Sequence, residues 1–251
     1  MEENVKKQCL FGMHPVLEAI RAGKKIEKVL LKKGMDGPQF RELLELLEKD
    51  RIPYQFVPLE KLDRTVRGVH QGVVAYIPDI EYVSLEDLVE TALASDIAPL
   101  LVLLDGVSDV RNLGAIARTL ECAGGNGIIV PAKGGAAINA DAIKVSAGAL
   151  MRIGTCRVPN LKIAAYYLRQ SGFRIVAATE KSDRRIYDAD MTGPCAVIMG
   201  SEGKGISPAM LSLADDKVSI PMEGEISSLN VSAAASVVLF EAVRQRLSIN
   251  R

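Results

Sequence analysis

Three polar stretches rich in Gly, Ser or Asn interrupt the apolar runs of this 251-residue chain, and they hold the residue types best suited to chemistry. The first is Asp105-Gly-Val-Ser-Asp-Val-Arg-Asn-Leu-Gly-Ala-Ile-Ala-Arg118. Asn112 is a good helix N-cap there, and Gly114 lets another backbone approach closely. Arg118 follows Asn112 by six residues, roughly the opposite side of a helix. An N-cap is less constrained than a residue inside the helix, so both can still reach one pocket. The second stretch is Gly200-Ser-Glu-Gly-Lys-Gly205, whose three glycines suggest exposed backbone N–H groups able to cradle a ligand. The third, Ile220-Pro-Met-Glu-Gly-Glu-Ile-Ser-Ser-Leu-Asn-Val-Ser232, delivers Asn230 to the start of the last helix. Taken one at a time these residues have plain readings. Asn112 and Asn230 read as caps, Arg118 as a solvated helix residue, Glu202 as a surface carboxylate and the glycines as turn formers.

Other chemistries find little support. Lys204 is followed by Gly205, so the glycine stretch is not a phosphate-binding P-loop, and it does not fit G-x-G-x-x-G. With only His14 and His70, no zinc site is expected, and the absence of G-x-S-x-G argues against a serine hydrolase. The cysteines, 9, 122, 156 and 195, form no C-x-x-C pair and read as packing residues.

The elements that must position these loops are legible from periodicity. Residues 1–78 carry 14 Lys/Arg against 11 Asp/Glu, and residues 100–251 carry 17 against 14. Between them, residues 79–99 hold six acids and no base, which reads as a linker or surface helix. Mild basicity on both sides permits nucleic-acid binding without demanding it. The Lys24, Lys25, Lys28, Lys32 and Lys33 cluster taken alone reads as a solvated face. In the first unit, helices from Pro15 and Pro38 and strands at Val29–Leu31, Tyr54–Val57 and Gly72–Ile77 predict a small α/β sandwich. The second unit alternates strands at 100–104, 127–130, 152–158, 173–178, 196–199 and 218–220 with helices at 112–123, 141–149 and 161–170. Val231, Ala234, Ala235, Val238, Leu239, Ala242 and Val243 then form one apolar stripe of a final helix. This alternation predicts a mostly parallel sheet with helices on both faces. No apolar run approaches the roughly 18 residues of a membrane span. The charged opening from Met1 to Cys9 shows no secretory apolar segment, which predicts a cytoplasmic protein.

Read together and in this order, N-L-G-A-I-x-R, G-S-E-G-K-G and I-P-M-x-G-x-I-S-S-L-N-V-S resemble the three signature motifs of the SpoU (TrmH) family of RNA 2′-O-methyltransferases. The opening Phe-Gly-Met-His-Pro-Val-Leu-Glu-Ala and the segment His70-Gln-Gly-Val-Val-Ala resemble the amino-terminal domain of the branch that methylates a guanosine ribose in bacterial 23S rRNA. The resemblance covers essentially the whole chain. It implies an L30e-like α/β substrate-binding domain over 1–78, an acidic linker over 79–99 and a SPOUT-type α/β methyltransferase domain over 100–251 with a carboxyl-terminal trefoil knot. It implies S-adenosylmethionine as cofactor, no metal, ribosomal RNA as partner, a homodimer, and neither DNA nor membrane. By motif match, Asn112, Arg118, Glu202, Ser228 and Asn230 are the implied catalytic residues. Gly200, Ile220 and Leu229, with Thr179 nearby, are the implied cofactor contacts. Many relatives read D-P-x-N where this chain has Asp109-Val110-Arg111-Asn112, so Arg111 adds a charge beside a catalytic position. Related activities remain as alternatives: methylation of tRNA or of another rRNA site, or RNA binding without catalysis.

The implied chemistry moves a methyl group from a sulfonium to a ribose hydroxyl, and in-line positioning is expected to supply much of the acceleration. A carboxylate paired tightly with the sulfonium would stabilise the ground state more than a transition state in which charge cancels. Glu202 is therefore expected to organise the loop or the acceptor nucleotide. Arg118, too weak an acid to serve as a base, is expected to stabilise the developing alkoxide and hold a phosphate. Gly200 is expected to leave room for the cofactor, so that Gly200→Val would abolish cofactor binding in a folded protein.

Overall fold

A computed structural model describes residues 9–23, 26–76 and 82–249. Lys24 and Lys25 of the basic cluster, Ile77 of the third expected strand, and Asp79 and Glu81 of the acidic stretch lie outside the described residues. The chain forms two compact units, one of residues 1–81 with 138–152, the other of residues 82–137 with 153–251.

The first unit runs β1 (Cys9–Phe11), α1 (Met13–Arg21), β2 (Lys28–Lys32), α2 (Pro38–Lys49), β3 (Tyr54–Val57), α3 (Leu59–Thr65) and β4 (Val73–Tyr76). Its four strands pair in the order β1-β4-β2-β3, with only β2 and β3 parallel. Helix α2 begins where Pro38 occupies the first turn, and it buries Phe40, Leu43 and Leu47 at helical spacing. The edge strand β1 and the short helix α3 were not evident from periodicity, being three and seven residues long.

The chain continues through α4 (Leu85–Leu93), β5 (Leu100–Asp105), α5 (Val110–Cys122), β6 (Gly127–Pro131), α6 (Ala140–Val145), β7 (Gly154–Val158), α7 (Leu161–Gln170), β8 (Arg174–Ala178), β9 (Cys195–Gly200), α8 (Pro208–Leu211), β10 (Asp216–Val218) and α9 (Val231–Ile249). Of these, α6 and the turn after it belong to the first unit, where α6 packs on β1. The expected helix 141–149 is cut short because Ala147 and Gly148 take φ of 51° and 88°. The acidic stretch supplies α4, capped by Ser84, and its Leu85, Leu88 and Val89 join the core of the second unit. From residue 82 onward it is therefore packed structure and not a free linker.

All six strands of the second sheet are parallel, in the order β10-β8-β9-β5-β6-β7. One face carries Leu101, Leu103, Ile129, Ile175 and Ile198 against α4, α7 and α8. Helices α5 and α9 pack on each other, and α9 touches β9. Strand β10 lies two residues earlier than its apolar residues suggested. Asp216, only 3% exposed, opens it because Arg174 and Arg184 both pair with its carboxylate. An apolar search does not find a strand that begins with a buried charge pair. Cys156 and Cys195 are buried within strands, where desolvation pushes their thiols up to about 11 and about 12.

Candidate active site at the carboxyl ends of the parallel strands

The chain leaves β5 toward β6 and β7 on one side of the sheet, then returns to build β8 and β9 on the other. The strand order thus reverses between β5 and β9, and in open parallel sheets ligands bind beyond the carboxyl ends at such a point. Asp105 and Gly200 are register partners at those ends. Because every strand points the same way, the loops after β5, β8, β9 and β10 emerge on one edge.

The loop after β9 is a tight hairpin. Ser201 and Gly205 exchange backbone hydrogen bonds of 3.1 and 2.9 Å, and the Lys204 N–H donates to Ser201 Oγ at 3.3 Å. These N–H groups serve the turn, so the expected backbone cradle is largely occupied from within. Asp105 Oδ2 accepts the Ser207 N–H at 2.7 Å and ties the hairpin to the end of β5. The reason for a glycine at position 200 differs from the one expected. A Cβ placed there would lie 2.2 Å from Gly205 C and 2.3 Å from Ile206 N. The space a side chain would take at Gly200 is filled by the protein's own backbone, while Gly200 itself still borders the larger pocket beyond the strand ends.

The hairpin holds Glu202 at its exposed tip, where Asn112 Nδ2 donates to Oε1 at 2.7 Å and Asn230 Nδ2 to the same oxygen at 2.6 Å. Asn230 Nδ2 also reaches Asn112 Oδ1 at 3.2 Å, and Asn230 Oδ1 accepts from the N–H and Oγ of Ser232. One residue from each of the three motif loops thus meets at a single carboxylate oxygen. Asn112 is not the cap expected for α5. Asp109 is the N-cap and accepts the Arg111 N–H at 2.6 Å, and the helix begins at Val110. A carboxylate suits that end because the helix dipole favours negative charge there. The Arg111 guanidinium closes on Asp109 Oδ2 at 2.9 Å, and this hydrogen bonding lowers the Asp109 carboxyl to about 2. Arg111 is raised in turn, by Asp109 first and by a smaller contribution from Glu202.

Arg118 is exposed and makes no hydrogen bond or ion pair among the described residues. With Asn112 inside the helix and not at its cap, the six-residue spacing turns Arg118 away from the cluster. Ser228 lines the two adjoining pockets beyond the strand ends. One pocket, of about 420 Å³, is lined by Thr179, Val218, Ile220, Met222 and Leu229. The other, of about 860 Å³, is bordered by Gly200 to Gly205 and again by Ser228 and Leu229. An apolar slot beside a polar one suits a ligand with a flat heterocycle and a charged amino-acid tail, which is the composition of S-adenosylmethionine. Thr179, Ile220 and Leu229 would hold the adenosine part. Glu180 borders both pockets and was not anticipated from sequence. Its signal is an acid just past the end of an apolar strand. Among the described residues, no group of His, Cys, Asp and Glu is placed to hold a metal ion, and no helix is long and apolar enough to cross a membrane.

A parallel α/β unit with three motif loops meeting at its switch point, joined to a small mixed-sheet unit, is the architecture of an RNA ribose methyltransferase. Residues 99–240 match the SpoU rRNA methylase family and residues 9–83 the RNA 2′-O ribose methyltransferase substrate-binding family, so the chain belongs to the SpoU methyltransferases. It is an RNA 2′-O-methyltransferase that uses S-adenosylmethionine. It is 38% identical over 241 residues to the 23S rRNA (guanosine-2′-O-)-methyltransferase RlmB of Pseudomonas putida, covering 94% of this chain and 96% of that one. An uncharacterized tRNA/rRNA methyltransferase of Mycolicibacterium vanbaalenii is 37% identical over 243 residues, covering 96% of this chain and 77% of its own. The crystal structure of AviRb from Streptomyces viridochromogenes with AdoMet superposes with a TM-score of 0.79 at 28% identity, covering 96% of this chain and 90% of that one.

Proposed function

We propose that the chain methylates the ribose 2′-hydroxyl of a guanosine in 23S rRNA. The observation that carries this reading is the meeting of Asn112, Glu202 and Asn230 on one carboxylate oxygen beside the paired pockets. The likeness to RlmB over nearly the whole chain supports the substrate.

Bound S-adenosylmethionine supplies an electrophilic methyl group on a sulfonium. The chain's own task would be to hold the acceptor 2′-hydroxyl in line with that methyl group and to let its proton pass to solvent. Glu202 acts as an organiser, since its Oε1 is taken by two amides and its carboxylate is fixed away from free rotation. Asn112, Ser228 and Asn230 orient the ribose and hold the third loop. Arg118 is unengaged but lies on a different side of α5 from Asn112, so its role is to meet the bound nucleotide from outside the Asn112–Glu202–Asn230 cluster, stabilising the alkoxide as it develops and gripping the adjoining phosphate. Residues 1–78 bind the RNA substrate and 100–251 carry the transfer. We further propose the trefoil knot, the homodimer and the cytoplasmic location that the motif resemblance implies.

The test is methyl transfer from tritiated S-adenosylmethionine to total RNA of a strain lacking this protein, followed by size fractionation. Label on a guanosine ribose of large-subunit rRNA is expected. Label confined to tRNA overturns the substrate while keeping the chemistry. The generic tRNA/rRNA naming of the M. vanbaalenii relative makes that the second reading.

A further inference from the structure

In the first unit, the last turn of α3 presents Arg64 to solvent and the loop that follows it presents Arg67, and neither makes a hydrogen bond or ion pair among the described residues. Val69 beside them is 76% exposed. Loops with free cations are ordinarily mobile, but this one is pinned at several points. His70 is buried, its Nδ1 accepts the Gly72 N–H at 3.0 Å, and so its Nε2 bears the proton donated to Asp63 Oδ1 at 2.9 Å. The Gln71 side chain accepts the first N–H of α1, that of Met13, at 3.1 Å. Gly68, at φ of +156°, lies flat on Phe11, and a Cβ there would be 2.8 Å from Phe11 Cε2. The same Phe11 ring carries the Lys144 ammonium 4.3 Å from its centroid. Lys144 comes from α6, in the 138–152 segment that the chain lends to this unit between β6 and β7. Arg152, at the end of that segment, reinforces the docking by pairing with Glu18 at 2.8 Å. The loop, through Gly68, and α6, through Lys144, therefore border one aromatic ring, and Arg64 and Arg67 flank the loop in sequence. The acids at hand are Asp63, engaged by His70, and Asp141 and Glu60 in the first turns of α6 and α3.

We propose that the Arg64–Val69 segment, from the last turn of α3 into the following loop, and Lys144 form one contact surface for a single-stranded or looped segment of the substrate RNA. Arg64, Arg67 and Lys144 contact its phosphates, and the exposed Val69 side chain receives the face of an unpaired base. The proposal rests on the RNA-methylation reading and goes beyond it. It assigns substrate binding to a residue outside the 9–83 substrate-binding match, supplied from within the stretch that matches the methylase family. Pre-ordering favours the assignment, since a pinned loop loses little entropy on binding. A single-stranded ligand fits because a looped base can be splayed onto a small apolar platform.

The test measures the affinity of an unmodified 23S rRNA transcript across a salt series for the full chain and for Lys144→Gln, Arg64→Gln/Arg67→Gln and Lys162→Gln. Lys162 is exposed on α7 in the other unit and controls for general charge. Each lost phosphate contact lowers the log–log salt slope by about 0.7 on a single strand. Lys144→Gln is expected to lower it by that amount and to weaken binding about three- to tenfold, and the double Arg variant to lower it by about twice as much. S-adenosylmethionine affinity and turnover at saturating RNA stay unchanged, and Lys162→Gln matches the parent. A Lys144→Gln slope equal to the parent's overturns the joint surface and confines binding to residues 9–83. If the parent methylates tRNA and not the transcript, the 23S reading fails, and the same slopes measured on tRNA still decide this proposal. A parent that binds neither RNA overturns both.

Discussion

The two sheets of this molecule use their loops in opposite ways. In the six-stranded sheet every strand runs in one direction, so the loops after β5, β8, β9 and β10 converge on one edge. There three side chains from three distant loops share a single oxygen, Glu202 Oε1. In the four-stranded sheet β4 runs against both of its neighbours, so loops leave at both ends. Its exposed features are spread out: Lys32 and Lys33 at the end of β2, and Arg64 to Val69 before β4. Parallel topology focuses groups on one reacting point, whereas mixed topology distributes them over a docking area. The first suits bond making, and the second suits reading an extended polyanion.

This contrast can be broken at the focused site first. Gly200→Val is expected to abolish methyl transfer and cofactor binding together and to lower the melting temperature, because the branched side chain meets the Gly205–Ile206 backbone. The cost exceeds the roughly 1–3 kcal/mol of ordinary overpacking. A stable, cofactor-free variant would restore the simpler view that glycine leaves space for the ligand. Next in size is Arg118→Lys, expected to cut turnover by about 10²-fold with little change in melting temperature, since a point charge replaces a bidentate fork. Near-normal turnover would show that charge alone suffices. Glu202→Gln retains an oxygen for the two amides, and is expected to lower turnover about tenfold while the motif loops stay folded, as judged by unchanged cofactor affinity.

At the distributed site the expected effects are smaller and of another kind. Lys32→Glu with Lys33→Glu should weaken RNA binding and flatten its salt dependence while turnover at saturating RNA holds. An unflattened slope would return these lysines to a solvated face. Lys28 is a poorer candidate, since its ammonium already donates to Gln55 Oε1 at 2.8 Å. The smallest effect concerns Asp109. Hydrogen bonding to Arg111 lowers its folded carboxyl to about 2, below the ordinary aspartate value of 3.8, so its stabilising contribution is complete above 3.8 and lost as pH falls toward 2. Carbon NMR of the carboxyl should show that low midpoint, and Arg111→Ala should move it back up.

Much was legible in advance, because apolar periodicity survives without tertiary context. The buried Leu100–Asp105 and Cys195–Gly200 strands and the α2 and α7 helices follow their patterns closely. The elements that escaped are short or polar: β1, α3, α8 and the Asp216 end of β10. Their stability comes from partners remote in the chain, as when Arg174 and Arg184 allow Asp216 to be buried.

By itself the sequence determined the family, the alternation of strand and helix, and the residue types able to work in the three loops. It could not decide what those residues touch. Asn112 and Asn230 are separated by 118 positions, and nothing local announces that both amides will close on Glu202. Nor could it show that Gly200 yields to backbone, or that residues 138–152 pack on the first unit. Periodicity and capping are properties of neighbours along the chain, whereas shared oxygens, close backbone approach and unit membership depend on strand order in the folded sheet.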